Sequence, residues 1–128
     1  MSYNWGPYYL VPSQAIIGYF GTVQLREQLD EDLLCKELEE LNLTGPVVKI
    51  SNPWYYRKKN TDTWIMIGES SDKQRNFPVR WDTTNLEDGQ YEILGLMHVF
   101  IRNNGEKIAI ARQNIVEITV ENQAAITM

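Results

Sequence analysis

The segment FPVRWDTTNLEDGQYEIL, residues 77–94, constrains the fold more than any other part of this 128-residue chain. It is typical of one β-strand, a tight corner and the start of a second strand. Asp88 and Gly89 occupy the corner, where a glycine tolerates a positive φ. Tyr91 follows two positions later, at the mouth of an apolar run, and its hydroxyl can return to the backbone of the corner. The segment therefore predicts a strand-built body whose end is fastened by a tyrosine hydrogen bond.

Residues 28–42 carry the one helical pattern. Asp30 or Asp32 suits its start, because negative charge is favourable near the positive end of the helix dipole. A helix of this length is unstable alone, so we expect its apolar stripe to dock on the rest of the protein. The stripe has spacings of three and four and consists of Leu29, Leu33, Leu34, Leu38 and Leu41.

Short apolar runs separated by turn residues predict an antiparallel β structure after residue 45. Asn52 and Pro53 are expected to end one strand. Residues 103–105, Asn-Asn-Gly, predict a hairpin turn, because Asn-Gly suits two central residues with positive φ. The predicted strands cover residues 14–25, 47–50, 63–67, 78–81, 91–101, 107–111 and 115–120.

The predicted strand 91–101 is apolar on both faces. Such a strand is normally covered on both sides, and we expect the leucine helix to supply the second cover. One face would carry Tyr91, Ile93, Met97, Val99 and Ile101, and the other Leu94, Leu96, His98 and Phe100.

The charge distribution excludes one class of partner. The net charge is −5, and residues 1–42 account for it with seven acids against Arg26 and Lys36. A chain without an excess of positive charge does not suit a phosphate backbone, so we expect no nucleic acid. No run approaches the ~18 apolar residues of a membrane span, and the N-terminus lacks a signal-peptide pattern. We therefore expect a cytoplasmic protein that does not bind membranes.

Cys35 and His98 are the only cysteine and histidine of the chain. Their positions, inside a helical pattern and inside a strand, are typical of packed structural residues. No cluster of histidine, cysteine and carboxylate has the spacing of metal ligands, so we expect neither a metal nor a cofactor. No catalytic residue is assigned. An enzyme whose site is shared across a subunit interface stays an alternative that only this pair supports.

The second half of the chain resembles bacterial immunoglobulin-like modules. The resemblance rests on Trp81-Asp82-Thr83-Thr84, on Leu86-x-Asp88-Gly89-x-Tyr91 and on Val116-x-Ile118-x-Val120-x-Asn122, and residues 46–53 are similar to the first strand of such modules. It covers about residues 45–122 and implies a β-sandwich that acts as a spacer, an adhesive unit or a non-catalytic appendage. The segment 73–76 is too short for a further strand, so one sheet is expected to be short or replaced by the helix.

We therefore predict a mainly β fold, an immunoglobulin-like β-sandwich with one N-terminal α-helix packed against it. Residues 1–44 would form an N-terminal extension with a strand-like segment and the acidic helix. Residues 45–122 would form the immunoglobulin-like domain, and residues 123–128 a tail.

The run Trp54-Tyr55-Tyr56-Arg57 is the candidate binding site. Three consecutive aromatic residues cannot all face one side of a strand, so at least one is expected to be exposed, and these residue types are enriched at protein interfaces. Alternatively, the aromatic rings cap the core at a strand end.

The predicted function is a non-catalytic protein-interaction or assembly module, such as an accessory subunit of a larger complex. A carbohydrate-binding module that stacks sugars on the same aromatic rings is the alternative, besides the shared-site enzyme. A protein partner is expected, and a homodimer is a further expectation because sheet edges invite pairing.

Overall fold

The computed structural model describes residues 8–9 and 19–123. The predicted class, mainly β with one α-helix, is confirmed. Ile17 of the first predicted strand and most of the predicted tail lie outside the described residues. The strands are β1 (Tyr8–Tyr9), β2 (Thr22–Leu25), β3 (Glu27–Gln28), β4 (Val47–Lys58), β5 (Ile65–Ser70), β6 (Val79–Asp82), β7 (Gly89–Asn103) and β8 (Glu106–Val120); the helix is α1 (Glu31–Glu40), and Lys73–Arg75 form a 3₁₀ turn.

An antiparallel sheet of four strands, in the order β5-β4-β7-β8, forms the main layer. Its two longest strands, β7 and β8, are joined by a tight turn. Asn104 and Gly105 have φ angles of 53° and 82°, which confirms the predicted hairpin. The turn sets the register, so that Asn103 lies opposite Glu106 and Gly89 lies opposite Val120.

Strand β4 passes through Pro53 without ending, so the expected break at Asn52 and Pro53 is wrong. A proline has no N–H to donate, and the ladder between β4 and β7 has no paired residue between Ser51 and Trp54. The other side of the strand bridges this interval, because Asn52 and Pro53 pair with β5. Strand β4 therefore tolerates Pro53, because β7 forms no ladder hydrogen bond at this position and the missing N–H of the proline is not required there.

The first part of the second layer is a two-stranded sheet of β2 and β6. It presents Val23, Leu25, Val79 and Trp81 to the main sheet, with Tyr19 beside them. These side chains pack against Trp54 and the ends of β7 and β8. The first core cluster consists of Tyr19, Val23, Leu25, Trp54, Val79, Trp81, Tyr91, Ile93, Ile118 and Val120.

Helix α1 forms the rest of the second layer. Asp30 caps its start, because its Oδ1 accepts a hydrogen bond of 3.1 Å from the Leu33 backbone N–H. Leu34 and Leu38 are buried, and each such side chain contributes ~1.5–3 kcal/mol. The second core cluster consists of Leu34, Leu38, Phe77, Met97, Val99 and Ile101.

Both parts of the second layer cover the same face of β7. Side chains alternate across a strand, so the odd-numbered residues of β7 share one side. Tyr91 and Ile93 belong to the first cluster, while Met97, Val99 and Ile101 belong to the second. The expectation that the helix covers the opposite face is therefore wrong. The two-stranded sheet of four-residue strands is too short to cover the 15-residue β7, and the helix fills the remainder of that inner face.

The corner before β7 is closed as predicted. The Tyr91 hydroxyl donates a hydrogen bond of 2.7 Å to the backbone carbonyl of Glu87, and Gly89 has a φ of 146°. The Asn122 side chain fastens the same end, because it donates to the Thr83 carbonyl and accepts from the Gly21 N–H. Residues before position 45 thus share hydrogen bonds and both core clusters with the residues after it.

Candidate interaction surface

The main sheet turns its other side, here called the outer face, away from both core clusters. Directly opposite residues of antiparallel strands lie on the same side, so the register assigns the outer-face side chains to rows. From the corner end to the hairpin end these rows are Arg57–Glu92–Glu117, Tyr55–Leu94–Ile115, Leu96–Gln113, Ser51–His98–Ala111, Lys49–Phe100–Ala109 and Arg102–Lys107.

The middle rows form an apolar centre. Leu94 is 7% exposed, and Tyr55, Leu96 and Phe100 are half-buried. Ile115, opposite Leu94, is 44% exposed. Met66 of β5, which pairs with Tyr55, is 53% exposed. Apolar side chains are therefore continuous across all four strands of the main sheet.

The corner end of the outer face is electrically balanced. Arg57 Nε lies 2.8 Å from Glu92 Oε1, and Lys59 Nζ lies 3.2 Å from Glu117 Oε1. The Arg57 guanidinium also lies over the Trp64 ring, 4.1 Å from its centroid. Because each charge already has a partner of opposite sign, this end offers little to a charged ligand.

The hairpin end, here called the basic end, carries Lys49, Arg102 and Lys107. Arg102 lies directly opposite Lys107, an arrangement that like charges make unfavourable. Lys107 Nζ lies 4.9 Å from the centroid of the Phe100 ring. None of the three cations has a carboxylate partner among the described residues. The outer face therefore has an apolar centre, and its basic end has no ion pair within residues 19–123. One carboxylate lies between them, because Glu69 of β5 lies opposite Pro53 and accepts a hydrogen bond of 2.5 Å from the Ser51 hydroxyl.

The structure separates the four residues of the predicted binding site. Trp54 is fully buried, and its Nε1 donates to the Phe77 carbonyl at 3.1 Å, so it is not available as a surface contact. Tyr56 is half-buried in the inner face, where its ring centroid lies 5.2 Å from that of Trp81. Only Tyr55 and Arg57 lie on the outer face. Consecutive residues of a strand point to opposite sides, and β4 continues through all four.

Sequence reasoning missed most of the outer-face residues as a surface. The hairpin turn at residues 103–105 could have identified them, because it sets which residue of β8 lies opposite each residue of β7. The pattern did not indicate which face of β7 the helix covers. Because a cover was expected on each side of this strand, Leu96 and Phe100 were expected to lie in the core.

Cys35 and His98 lie on opposite sides of the main sheet. Cys35 is exposed on α1, within the layer that covers the inner face. His98 is half-buried on the outer face, where its ring stacks on Phe100 with a centroid distance of 6.1 Å. The pair that supported an enzymatic alternative does not meet within one chain.

A buried carboxyl group lies at the junction of the two core clusters. Glu27 and the Asn52 side chain beside it have no exposed surface. Burial raises the pKa of Glu27 to about 8, and Asn52 lowers that pKa in part. Within residues 19–123, however, neither terminal group reaches hydrogen-bond geometry. With a pKa of about 8, the Glu27 carboxyl is mostly protonated at pH 7, and it lies inside the core rather than at a surface site.

A cleft at the start of α1 collects several charged side chains. Their charges are already used, because Asp30 caps the helix and Lys73 forms an ion pair with Glu31. We therefore assign this cleft no ligand. Its lining residues are Gln28, Leu29, Asp30, Glu31, Asp32, Lys73 and Asn76.

Among the described residues, no group of three or more histidine, cysteine, aspartate or glutamate side chains could hold a metal ion. No helix among those residues is long and apolar enough to cross a membrane. Comparison of the chain with known protein families, with curated proteins and with solved structures finds no match.

Proposed function

We propose that this protein is a non-catalytic, immunoglobulin-like interaction module that binds a protein partner on its outer face. The observation that carries the proposal is the position of the second layer. The two-stranded sheet and the helix both cover the inner face, while the apolar rows of the outer face lie on the other side. An apolar surface with a polar rim marks an interaction site more often than a free surface.

The immunoglobulin-like part of the proposal is supported by the closed corner and by the antiparallel two-layer arrangement. The hydrogen bond from Tyr91 to the Glu87 carbonyl has the geometry that fastens such sandwiches. The second layer differs from a full sheet, because α1 takes the place of further strands. This reduced layer agrees with the short segment at residues 73–76.

The residue types of the outer face suit a protein interface. Aromatic residues, methionine and arginine are enriched in such interfaces, and Tyr55, Phe100, Met66 and Arg57 supply them here. Ile115 and Met66 are largely exposed at the centre. Covering one such side chain contributes ~1.5–3 kcal/mol. A few contacts of this kind can therefore support specific binding.

A carbohydrate-binding function is less well supported. It requires exposed, coplanar rings, whereas Trp54 is buried and Tyr56 packs against Trp81. Tyr55 points to the other side of β4. The three consecutive aromatic residues therefore do not form a common platform for a sugar ring.

Site-specific photocrosslinking in cells that naturally produce the protein tests the proposal. A photoreactive amino acid would replace Ile115 or Met66 on the outer face. Gln24, which is exposed on β2, is the matched control on the opposite side of the molecule. We expect an adduct of discrete mass from the outer-face positions alone, and an adduct of twice the mass of the chain identifies a second copy as the partner.

Two results would overturn the proposal. One is the absence of any outer-face adduct, or equal adducts from Gln24. The other is a change in tryptophan fluorescence on titration with a panel of polysaccharides, abolished by substitution of Tyr55, because that result assigns the face to carbohydrate.

A further inference from the structure

We infer that the partner docks on the outer face with a segment that is both apolar and acidic, and that its carboxylates bind the basic end at Lys49, Arg102 and Lys107. This inference rests on the proposed function and names the chemistry of the partner. It also gives the segment a direction, with its apolar side chains towards Tyr55 and its acidic groups towards the hairpin.

The first support is the arrangement of the three cations. Arg102 and Lys107 are directly opposite each other across β7 and β8, on the outer face, as the contact of Lys107 with the Phe100 ring shows. Lys49 is opposite Phe100 in the neighbouring row. Three positive charges thus surround one aromatic ring at the edge of the apolar centre.

The second support is that none of the three cations forms an ion pair within residues 19–123. Arg57 and Lys59, at the corner end, have glutamate partners at 2.8 and 3.2 Å. Glu106, close in sequence to Lys107, lies opposite Asn103 on the other side of the sheet. The like charges of the basic end repel each other in the isolated chain, and carboxylates of a partner would remove that repulsion.

The third support is charge complementarity that favours a protein over other anionic partners. Three cations are fewer than the four to eight that typify binding to anionic lipid headgroups. The net charge of −5 opposes approach to a membrane surface or to nucleic acid. The acids that helix α1 exposes, Glu31, Asp32, Glu39 and Glu40, lie on the opposite side of the main sheet, away from the basic end. The three cations of the basic end therefore form a small positive patch that suits a segment with a few carboxylates.

The dimensions of the surface limit the segment. From Leu94 to Phe100 the outer face extends ~20 Å, at ~3.4 Å per residue of an antiparallel strand. An extended segment of about seven residues or a helix of about 14 residues covers that length. We expect two or three acidic residues just beyond its apolar part.

Selection from a random peptide library displayed on phage, with the immobilised full chain as target, tests the inference. The enriched sequences should combine leucine, isoleucine or phenylalanine with aspartate or glutamate. A synthetic enriched peptide should bind the variant Lys49→Gln/Arg102→Gln/Lys107→Gln about tenfold more weakly than the wild-type chain. Its affinity should also fall as NaCl rises from ~50 to ~500 mM.

The control variant Arg26→Gln/Lys36→Gln/Arg80→Gln removes the same charge from three other exposed positions. It should bind the peptide as the wild-type chain does. The basic-end variant should differ from the wild-type chain by no more than ~1 kcal/mol in unfolding free energy, because it loses the contact of Lys107 with the Phe100 ring and also loses a repulsion. A larger loss would show that the chain itself already compensates the cations, and it would overturn the inference.

The remaining outcomes separate the inference from the proposed function. The inference is overturned if the enriched peptides lack acidic residues, or if a peptide binds both triple variants equally. The proposed function still holds in that case, provided that the outer-face positions give photocrosslinks. Binding to phosphatidylserine vesicles without binding to acidic peptides assigns the basic end to a membrane and overturns the inference. No enriched peptide and no outer-face crosslink overturn both.

Discussion

Glu27 places its carboxyl group against the backbone of Gly95, at the centre of β7. A Cβ atom at position 95 would lie 1.5 Å from Glu27 Oε1 and 2.3 Å from its Cδ. On the inner face of β7, Gly95 lies between Ile93 of the first core cluster and Met97 of the second, and as a glycine it contributes no side chain there. The missing side chain leaves room for the acid, so that a polar group lies at the junction of two apolar clusters.

Gly95→Ala is therefore expected to destabilise the protein by ~1–3 kcal/mol, the usual cost of overpacking a core. The buried Glu27 side chain cannot swing into solvent to avoid the new methyl group. Urea unfolding at pH 6 measures the loss. In a Glu27→Ala background the same substitution should cost much less, because the methyl group then enters the space that the carboxyl leaves. Equal costs in both backgrounds would show that the contact does not limit position 95.

The buried acid makes folding stability depend on pH. Because burial raises the pKa of Glu27 to about 8 in the folded chain from 4.5 in the unfolded chain, the folded state holds the proton more tightly. The protonated carboxyl therefore contributes to the free energy of unfolding. This contribution is fully present below about pH 4.5 and is lost as pH rises through about 8. The difference between the two limits is ~5 kcal/mol. Glu27→Gln keeps the shape without the ionisable group.

The difference in unfolding free energy between wild-type and Glu27→Gln chains isolates this effect, because other titrating groups are common to both. We expect the wild-type chain to lose stability relative to the variant from pH 5 to pH 9. Chemical denaturation at several pH values measures the two curves. Parallel curves over that range would contradict a raised pKa.

Tyr91→Phe removes the hydroxyl that donates to the Glu87 carbonyl at 2.7 Å. We expect a loss of ~1 kcal/mol, the usual net contribution of one hydrogen bond, and a melting temperature lower by ~3–6 °C. Tyr56→Phe is the matched control, since the Tyr56 ring contacts the Tyr91 ring but its hydroxyl has no hydrogen-bond partner within residues 19–123. Similar losses from both substitutions would remove the special role of the corner.

The docking of α1 is tested by two leucines that differ in burial, one within the helix and one at its C-cap. Leu38 is 8% exposed and packs in the second core cluster, while Leu41, at the end of the helix, is 50% exposed. Leu38→Ala should destabilise the protein by ~2–5 kcal/mol, and Leu41→Ala by less than ~0.5 kcal/mol. Guanidinium unfolding gives both values. A larger effect at Leu41 would indicate that the helix is rotated.

Several local features follow directly from short stretches of sequence. The positive φ of Gly89 and the tyrosine two residues later produce the corner, and Asn104 with Gly105 produces the hairpin. The leucine spacing and the capping Asp30 produce a helix within the predicted range. Each of these depends on a backbone preference or on contacts between residues that are near neighbours in the chain.

Other features needed distant parts of the chain. Pro53 remains within a central strand because β5 bridges the interval that β7 leaves unpaired. Trp54 is buried because that continuing strand points it towards Phe77, whose carbonyl accepts its N–H. A pattern of residue types around positions 52–57 contains neither of these partners, so it predicted a strand break at Asn52 and Pro53 and at least one exposed aromatic ring.

The sequence by itself determined the hairpin, the corner, the amphipathic helix and the approximate positions of most strands, because each depends on residues that are near neighbours in the chain. Only the tertiary structure decided which side of the main sheet they cover. Strand β7 is apolar on both sides, so its own residues are compatible with a cover on either. The choice follows from the pairing of Thr22 with Asp82, far apart in the chain. That pairing brings β2 and the following helix to the inner face, so that the outer face lies outside both core clusters.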